Sequence, residues 1–239
     1  MKRLALITAA GIGKRIGGKV PKQFILLDER PILAITIDVF QKCPFIDHII
    51  VTVPKGAVGY CKKEIVERYG FSKVYKVVEG GERRQDSVRI GLECAKEILS
   101  ESDLVLIHDG VRPFIEERTI ERMIKEAERY PAVILGIPSK DTVKEVDENG
   151  MVIRTYERKR IRLIQTPQLF RFRDIYLAHK KAYTEMWKSI TDDSMLLERI
   201  GVPVKVIEGS EMNIKITTPF DLEISRIIKK GGISYGRSS

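Results

Sequence analysis

Leu4-Ala5-Leu6-Ile7-Thr8-Ala9-Ala10-Gly11-Ile12-Gly13-Lys14-Arg15-Ile16-Gly17-Gly18 is the stretch that decides the fold. An apolar run of strand length passes directly into a glycine-rich loop that carries cations. That order is expected where the first buried strand of a parallel sheet ends and its backbone N–H groups turn toward an anion. Two familiar nucleotide loops fail on single residues. The dinucleotide fingerprint G-x-G-x-x-G needs glycine where the chain has Ile16, and a Walker A loop runs from Gly13 to Lys19 but then meets Val20, which has no hydroxyl for Mg²⁺. A glycine turn beside a basic surface stays open on the glycines alone. Arg15 and Lys22, placed just after strand one, favour a phosphate-binding loop.

Outward from this loop, short β-branched runs recur at 4–8, 48–53, 74–78, 104–108 and 133–137. Amphipathic segments at 32–42, 62–69, 87–99 and 117–130 separate them, which predicts an α/β fold with a mainly parallel twisted sheet flanked by helices. In the first of those helices Ile32, Ile35, Val39 and Phe40 are expected on one face. The pattern changes after Pro138. Extended segments at 141–146 and 151–156 flank Asp147-Glu148-Asn149-Gly150, the turn chemistry of a hairpin. Such an arm, about 139–160, buries little by itself, so a partner subunit is a plausible place for it. Helices resume at 172–187 and 193–200, a strand follows at 204–207, and a closing helix spans 219–229.

A chain of 239 residues, 43% hydrophobic, suits one domain over 1–230 with a frayed tail at 231–239. Its longest apolar runs, 104–107 and 132–137, are far short of the roughly 20 residues of a membrane span. The apolar stretch after Met1-Lys2-Arg3 is too short for a secretory signal. Cys43, Cys61 and Cys94 are odd in number and widely spaced, which disfavours a disulfide framework or zinc site and favours a cytoplasmic setting. The net charge of +9 fits a phosphorylated substrate, a nucleic acid or a solvated surface. An RNA-binding protein would be expected to carry an aromatic RNP run or one long basic stripe, and the chain has neither.

Asp109 and Arg112 stand where the apolar strand 104–108 gives way to a turn, the sheet edge at which ligands bind, although turn capping accounts for an Asp there equally well. His108 reads as a packed, hydrogen-bonded core residue. Gly80-Gly81-Glu82-Arg83-Arg84-Gln85-Asp86-Ser87 follows a strand and opens a helix; Ser87 or Glu82 suits contact with a base or a helix cap. Thr142, Arg158, Thr166, Thr191 and Lys215 are scattered, and taken singly each reads as a surface polar residue.

Taken in order, Ala9-Ala10-Gly11 with Lys14-Arg15, Pro21-Lys22-Gln23, Gly80 to Ser87, His108-Asp109 with Arg112-Pro113, Asp141-Thr142, Gln165-Thr166-Pro167-Gln168, Thr191-Asp192 and Asn213-Ile214-Lys215 resemble the methylerythritol phosphate cytidylyltransferases. The resemblance covers nearly the whole chain. It implies a nucleotide-diphospho-sugar transferase sheet, a homodimer joined through the β-arm, and Mg²⁺-dependent transfer of CMP from CTP to methylerythritol phosphate in the non-mevalonate isoprenoid pathway. It further implies catalytic roles for Arg15 and Lys22, and a nucleotide site from Ala9, Ala10, Gly11, Gly81, Glu82 and Ser87. Asp109, Arg112, Thr166, Thr191 and Lys215 would position the sugar phosphate, with Thr142 and Arg158 arriving from the other subunit. Mg²⁺ would be held mainly by the triphosphate, with Asp109 as a candidate ligand. Neither a membrane nor a nucleic acid is implied as partner.

Two departures stand out. Glu82 occupies the place where the family commonly has Asp, and Gly110-Val111 replaces a commoner pair of alanines. The segments 111–114 and 213–219 resemble the ribitol 5-phosphate cytidylyltransferases equally well. Ala9-Ala10-Gly11, Thr142 with Lys144, and Arg158 placed eight residues before Thr166 favour methylerythritol phosphate.

Overall fold

Strand β1 (Arg3–Thr8) alternates across the middle of the molecule, and that alternation divides the core in two. Leu4 and Leu6 enter one apolar cluster, Ala5 and Ile7 the other, as the two-residue period of a strand requires. The computed structural model describes residues 1–11 and 21–231. Arg15, most of the glycine loop and residues 232–239 of the expected tail therefore lie outside the described residues.

A small hairpin, β2 (Leu26–Leu27) and β3 (Arg30–Pro31), leads into α1 (Ile32–Lys42) and then β4 (His48–Val53). Helix α2 (Val58–Tyr60) runs on into the wider π-type turns Cys61–Glu67, followed by β5 (Val74–Glu79), α3 (Arg84–Ala95) and β6 (Leu104–Asp109). Next come α4 (Glu117–Glu126) and β7 (Ala132–Pro138), then the arm strands β8 (Lys144–Val146) and β9 (Val152–Thr155). The chain closes with β10 (Arg162–Arg171), α5 (Phe172–Thr184), α6 (Ser194–Arg199), β11 (Val204–Glu208) and α7 (Pro219–Lys229).

Among the described residues, seven strands form one sheet in the order β11-β7-β10-β6-β1-β4-β5. All pairings are parallel except those of β10, which runs antiparallel to both β6 and β7. Leu33, Ile37, Phe40, Ile120 and Met123 of α1 and α4 cover one face, and Val88, Leu92, Ile175 and Leu196 of α3, α5 and α6 cover the other. Burial on both faces explains why these strands read as near-continuous apolar runs.

Three features differ from the sequence reading. The buried stripe of α1 is Leu33, Ile37 and Phe40, while Ile35 and Val39 are only partly covered. Helix α3 begins at Arg84, earlier than 87, because the Asp86 carboxylate accepts the Arg83 N–H (3.3 Å) and guanidinium (2.9 Å) and starts the first turn there. Strand β10 has no counterpart among the strands the sequence predicts: Pro167 interrupts its pattern, and the ladder to β7 shifts register between Gln165 and Gln168.

The arm forms as expected, though its paired strands are shorter. Asp147 accepts N–H groups from Asn149 (2.9 Å) and Met151 (2.8 Å), and Gly150 takes φ 79°, a conformation that favours glycine. It leaves Val146, Met151, Val152 and Ile153 exposed.

Candidate active site

Thr8 pairs with Asp109 on one side and Thr52 on the other, so β1, β4 and β6 end at one level. From β1 the chain moves outward to β4 and β5 and then returns across to β6; at that reversal of strand order the loops part and leave a crevice. Thr8, Ala9, Ala10, Gly11, Lys22 and Gln23 line it from one side, Gly81 to Arg84 and Ser87 from another, and Asp109, Val111 and Lys215 close it.

The loops are fastened by backbone. Ala9 donates to the Thr52 carbonyl (2.8 Å), Gly80 to Val53 (2.8 Å) and Gly110 to Thr8 (2.9 Å). A Cβ on Gly80 would collide with the Cβ of Ala10 and lie 2.6 Å from Ser87 Oγ. Glycine there lets the two loops touch. Ser87 is buried inside the helix and not at its cap: its hydroxyl accepts the Gly81 N–H (3.1 Å) and donates to the Arg83 carbonyl (3.2 Å), bracing the loop. Glu82 is exposed at the rim.

Asp109 is the electrostatic centre. Its Oδ1 meets Arg84 Nε at 3.1 Å, and its Oδ2 meets Lys215 Nζ at 2.9 Å and Arg112 Nε at 3.5 Å. Burial would raise this carboxyl, but Arg84, Lys215 and Arg112 hold it well below the usual carboxylate range. Burial pulls Arg112 down, against the pull of Asp109. Burial also opposes the charge on Arg84, and the carboxylates of Asp193 and Asp109 more than reverse it, holding the guanidinium above its ordinary value. With Asp193 on the other side of Arg84, three cations and two carboxylates leave one net positive charge, and Lys22 on the same crevice adds to an arrangement suited to a polyanion.

Several sequence-expected residues meet here. Thr166 Oγ1 accepts the Asp109 N–H at 3.0 Å, a contact that the break in the β10 ladder makes room for. Asn213 donates to the Thr166 carbonyl (2.8 Å) and its own carbonyl accepts Arg112 Nη1 (2.7 Å), which ties the segment bearing Lys215 to both. His108 is buried, as read from sequence: Nε2 bonds the Arg112 carbonyl (2.9 Å), the ring packs on Phe40, and burial pushes its pKa down to about 4.

Thr142 and Arg158 are exposed on the arm and do not line the crevice of this chain; Arg158 Nη1 donates to the Lys140 carbonyl (3.0 Å). Thr191 is also outside the lining, with its hydroxyl 3.8 Å from Met195 Sδ. Sequence reasoning assigned no role to Arg84, Gln168, His179 or Asp193. Gln168 Nε2 donates to Asp192 Oδ2 (2.8 Å), and its Oε1 accepts the N–H groups of Asp193 and Ser194 (both 3.2 Å). The paired arginines at the start of α3 were a usable signal for Arg84, but its partners lie 25 and 109 residues away.

The sequence profile of the family described as "IspD: 2-C-methyl-D-erythritol 4-phosphate cytidylyltransferase" matches residues 4–230. The chain belongs to this family. It is similar to the 2-C-methyl-D-erythritol 4-phosphate cytidylyltransferases of Geobacter metallireducens (44% identity, covering 96% of this chain and 98% of that protein) and Clostridium botulinum (46%, covering 94% and 97%). Among solved structures it resembles the 4-diphosphocytidyl-2C-methyl-D-erythritol synthase of Anaerococcus prevotii (TM-score 0.82, 35% identity, 96% of each chain). The cytidylyltransferase of Francisella tularensis is also similar (TM-score 0.80, 32% identity, 94% of this chain and 98% of that one).

For a cytidylyltransferase the metal question turns on donors. Among the described residues no group of three or more His, Cys, Asp or Glu side chains could hold a metal. The carboxylates lining the crevice are Asp109 and Glu82, and both oxygens of Asp109 are engaged by cations. Such a donor set fits a Mg²⁺ ion that rides mainly on substrate phosphates and takes one carboxylate at most. No helix among the described residues is long and apolar enough to cross a membrane.

Proposed function

We propose that this chain transfers CMP from CTP to 2-C-methyl-D-erythritol 4-phosphate, giving 4-diphosphocytidyl-2-C-methyl-D-erythritol and pyrophosphate in the non-mevalonate isoprenoid pathway. The observation that carries the site assignment is the crevice at the strand-order reversal, where Asp109 gathers Arg84, Arg112 and Lys215 opposite Lys22.

A phosphate monoester with a second pKa near about 6 is largely dianionic at neutral pH, so its oxygen attacks the α-phosphorus without a general base. One P–O bond forms as the bond to the β-phosphate oxygen breaks, and pyrophosphate leaves with that electron pair. The work left to the protein is alignment and neutralisation of concentrated negative charge. Lys22, with Arg15 of the glycine loop, is assigned to the triphosphate. Ala9 to Gly11, Gly81, Glu82 and Ser87 are assigned to the nucleoside. Asp109 holds Lys215 and Arg112 toward the second phosphate, beside Thr166; Thr191, outside the crevice lining, is assigned to the same substrate on the family resemblance alone. Mg²⁺ bound to the triphosphate would supply further neutralisation, with Asp109 the carboxylate at hand.

The arm motivates a homodimer: Val146, Met151, Val152 and Ile153 are 51–68% exposed, and Thr142 and Arg158 lie on the same projection, so a partner subunit would cover apolar side chains of the arm and receive both polar residues. The odd, widely spaced cysteines keep the cytoplasmic reading. A two-substrate assay tests the function. Mg²⁺-dependent pyrophosphate release is expected only with CTP and methylerythritol phosphate together; turnover with ribitol 5-phosphate in its place would move the assignment to that related activity.

A further inference from the structure

A buried chain of charged groups runs from Asp109 away from the crevice toward α5. Arg84 donates from Nε to Asp109 Oδ1 (3.1 Å) and from Nη1 to Asp193 Oδ2 (2.7 Å). The other oxygen of Asp193 meets His179 Nε2 at 3.1 Å. His179 and Asp193 are each 1% exposed, whereas 31% of the Arg84 side chain is open and it lines the crevice.

A carboxylate as buried as Asp193 is costly unless its oxygens are filled. Arg84 fills one and His179 the other, while Gln168 Oε1 takes the Asp193 N–H (3.2 Å). An ionised carboxylate only accepts, so His179 carries its proton on Nε2 and acts there as a donor. Its Nδ1 has no hydrogen-bond partner, which leaves the Asp193 bond as the polar contact that orients the ring. Arg84 is then gripped by two acids along different edges of its planar fork, through Nε and Nη1, and its Nη2 is buried without a partner. An arginine ordered before its ligand arrives loses less freedom on binding than one that must be ordered by the ligand.

We propose that His179, acting through Asp193, is a positioning residue that holds Arg84 as a preset cation for the phosphate chain of CTP. The proposal rests on the cytidylyltransferase reading. It favours CTP over the sugar phosphate because Arg84 continues the loop of Gly81 and Glu82 and shares the crevice with Ala9 to Gly11 and Lys22, while Lys215 and Arg112 sit on the other oxygen of Asp109.

The test is calorimetric titration of the full chain with CTP and Mg²⁺, together with steady-state kinetics. His179→Leu is expected to weaken CTP binding about tenfold, the scale of a lost hydrogen bond to a charged group. His179→Gln, which offers an amide N–H near the Nε2 position, should restore most of it. In turnover the KM for CTP should rise while the KM for methylerythritol phosphate and kcat hold. Unchanged CTP affinity in His179→Leu overturns the proposal whatever its melting temperature, as does an equal rise in both KM values. Should His179→Leu fail to fold, Arg84→Gln replaces it, and undiminished CTP binding there is equally fatal. Absence of CTP binding by the unaltered chain would instead overturn the nucleotide reading itself.

Discussion

Around Asp109 the protein spends buried polar groups on fixing one another, whereas on the arm similar side chains meet at the surface. Asp109, Arg84, Arg112, Lys215 and Asp193 form a connected set in which the acids are almost fully covered. On the arm, Lys144 reaches Thr155 (2.8 Å) and Tyr156 reaches Glu145 (2.7 Å) in open solvent, beside uncovered Val152 and Ile153. Removal of one partner strands a buried charge in the first region and is absorbed by water in the second. The charge cluster beside the crevice is assembled within one chain; the arm leaves apolar side chains uncovered.

The sharpest way to break this contrast is Asp109→Ala, which leaves Arg84, Arg112 and Lys215 facing each other. Loss of about 3–5 kcal/mol is expected in urea denaturation, the cost of breaking a buried pair from one side. The sign with pH follows. Because the folded carboxyl lies well below its ordinary value, its stabilisation is present at neutral pH and is lost as pH falls below about 4 toward the folded value.

His108 acts in a different window. Its folded pKa of about 4 lies below the ordinary 6.5, so the unfolded chain binds the proton first. Full stability from this group exists above pH 6.5 and about 3 kcal/mol is lost as pH falls to about 4. Denaturation midpoints across that range should fall less steeply in His108→Gln than in the unaltered chain; equal slopes would remove His108 as their source.

Lys22→Ala probes chemistry and not folding. A drop of about a hundredfold in kcat/KM is expected with the circular dichroism spectrum intact, and a rate within a few-fold of normal would free Lys22 from its assigned role. The smallest effect belongs to the arm. Val152→Ser with Ile153→Ser should change the unfolding free energy of the isolated chain by less than about 0.5 kcal/mol, while sedimentation should show weaker self-association. A large loss of chain stability would mean that the arm packs on its own subunit.

Much of this organisation was legible in the sequence where it depends on neighbours along the chain. The apolar runs of β1, β4 and β6 are strands because both faces are buried, and Asp147 with Gly150 specifies its turn locally. Strand β10 escaped because Pro167 breaks the pattern and because its first residues are exposed, so only the second half reads as buried. The role of Arg84 escapes for another reason: what fixes it is carried by Asp109 and Asp193, brought near only once the sheet and the start of α6 are assembled. Thr142 and Arg158 matched a pattern of residue types, yet a single chain does not bring them to the crevice.

The close approach of Gly80 to Ala10 bears on redesign of the proposed nucleotide site. A side chain at Gly80 would strike Ala10, and one at Gly81 would strike Asp86, so neither position offers room for new chemistry. Ser87 is committed to bracing the loop. Glu82, exposed at the rim, is the position in that loop where a library could vary size and charge without first rebuilding the backbone beneath it.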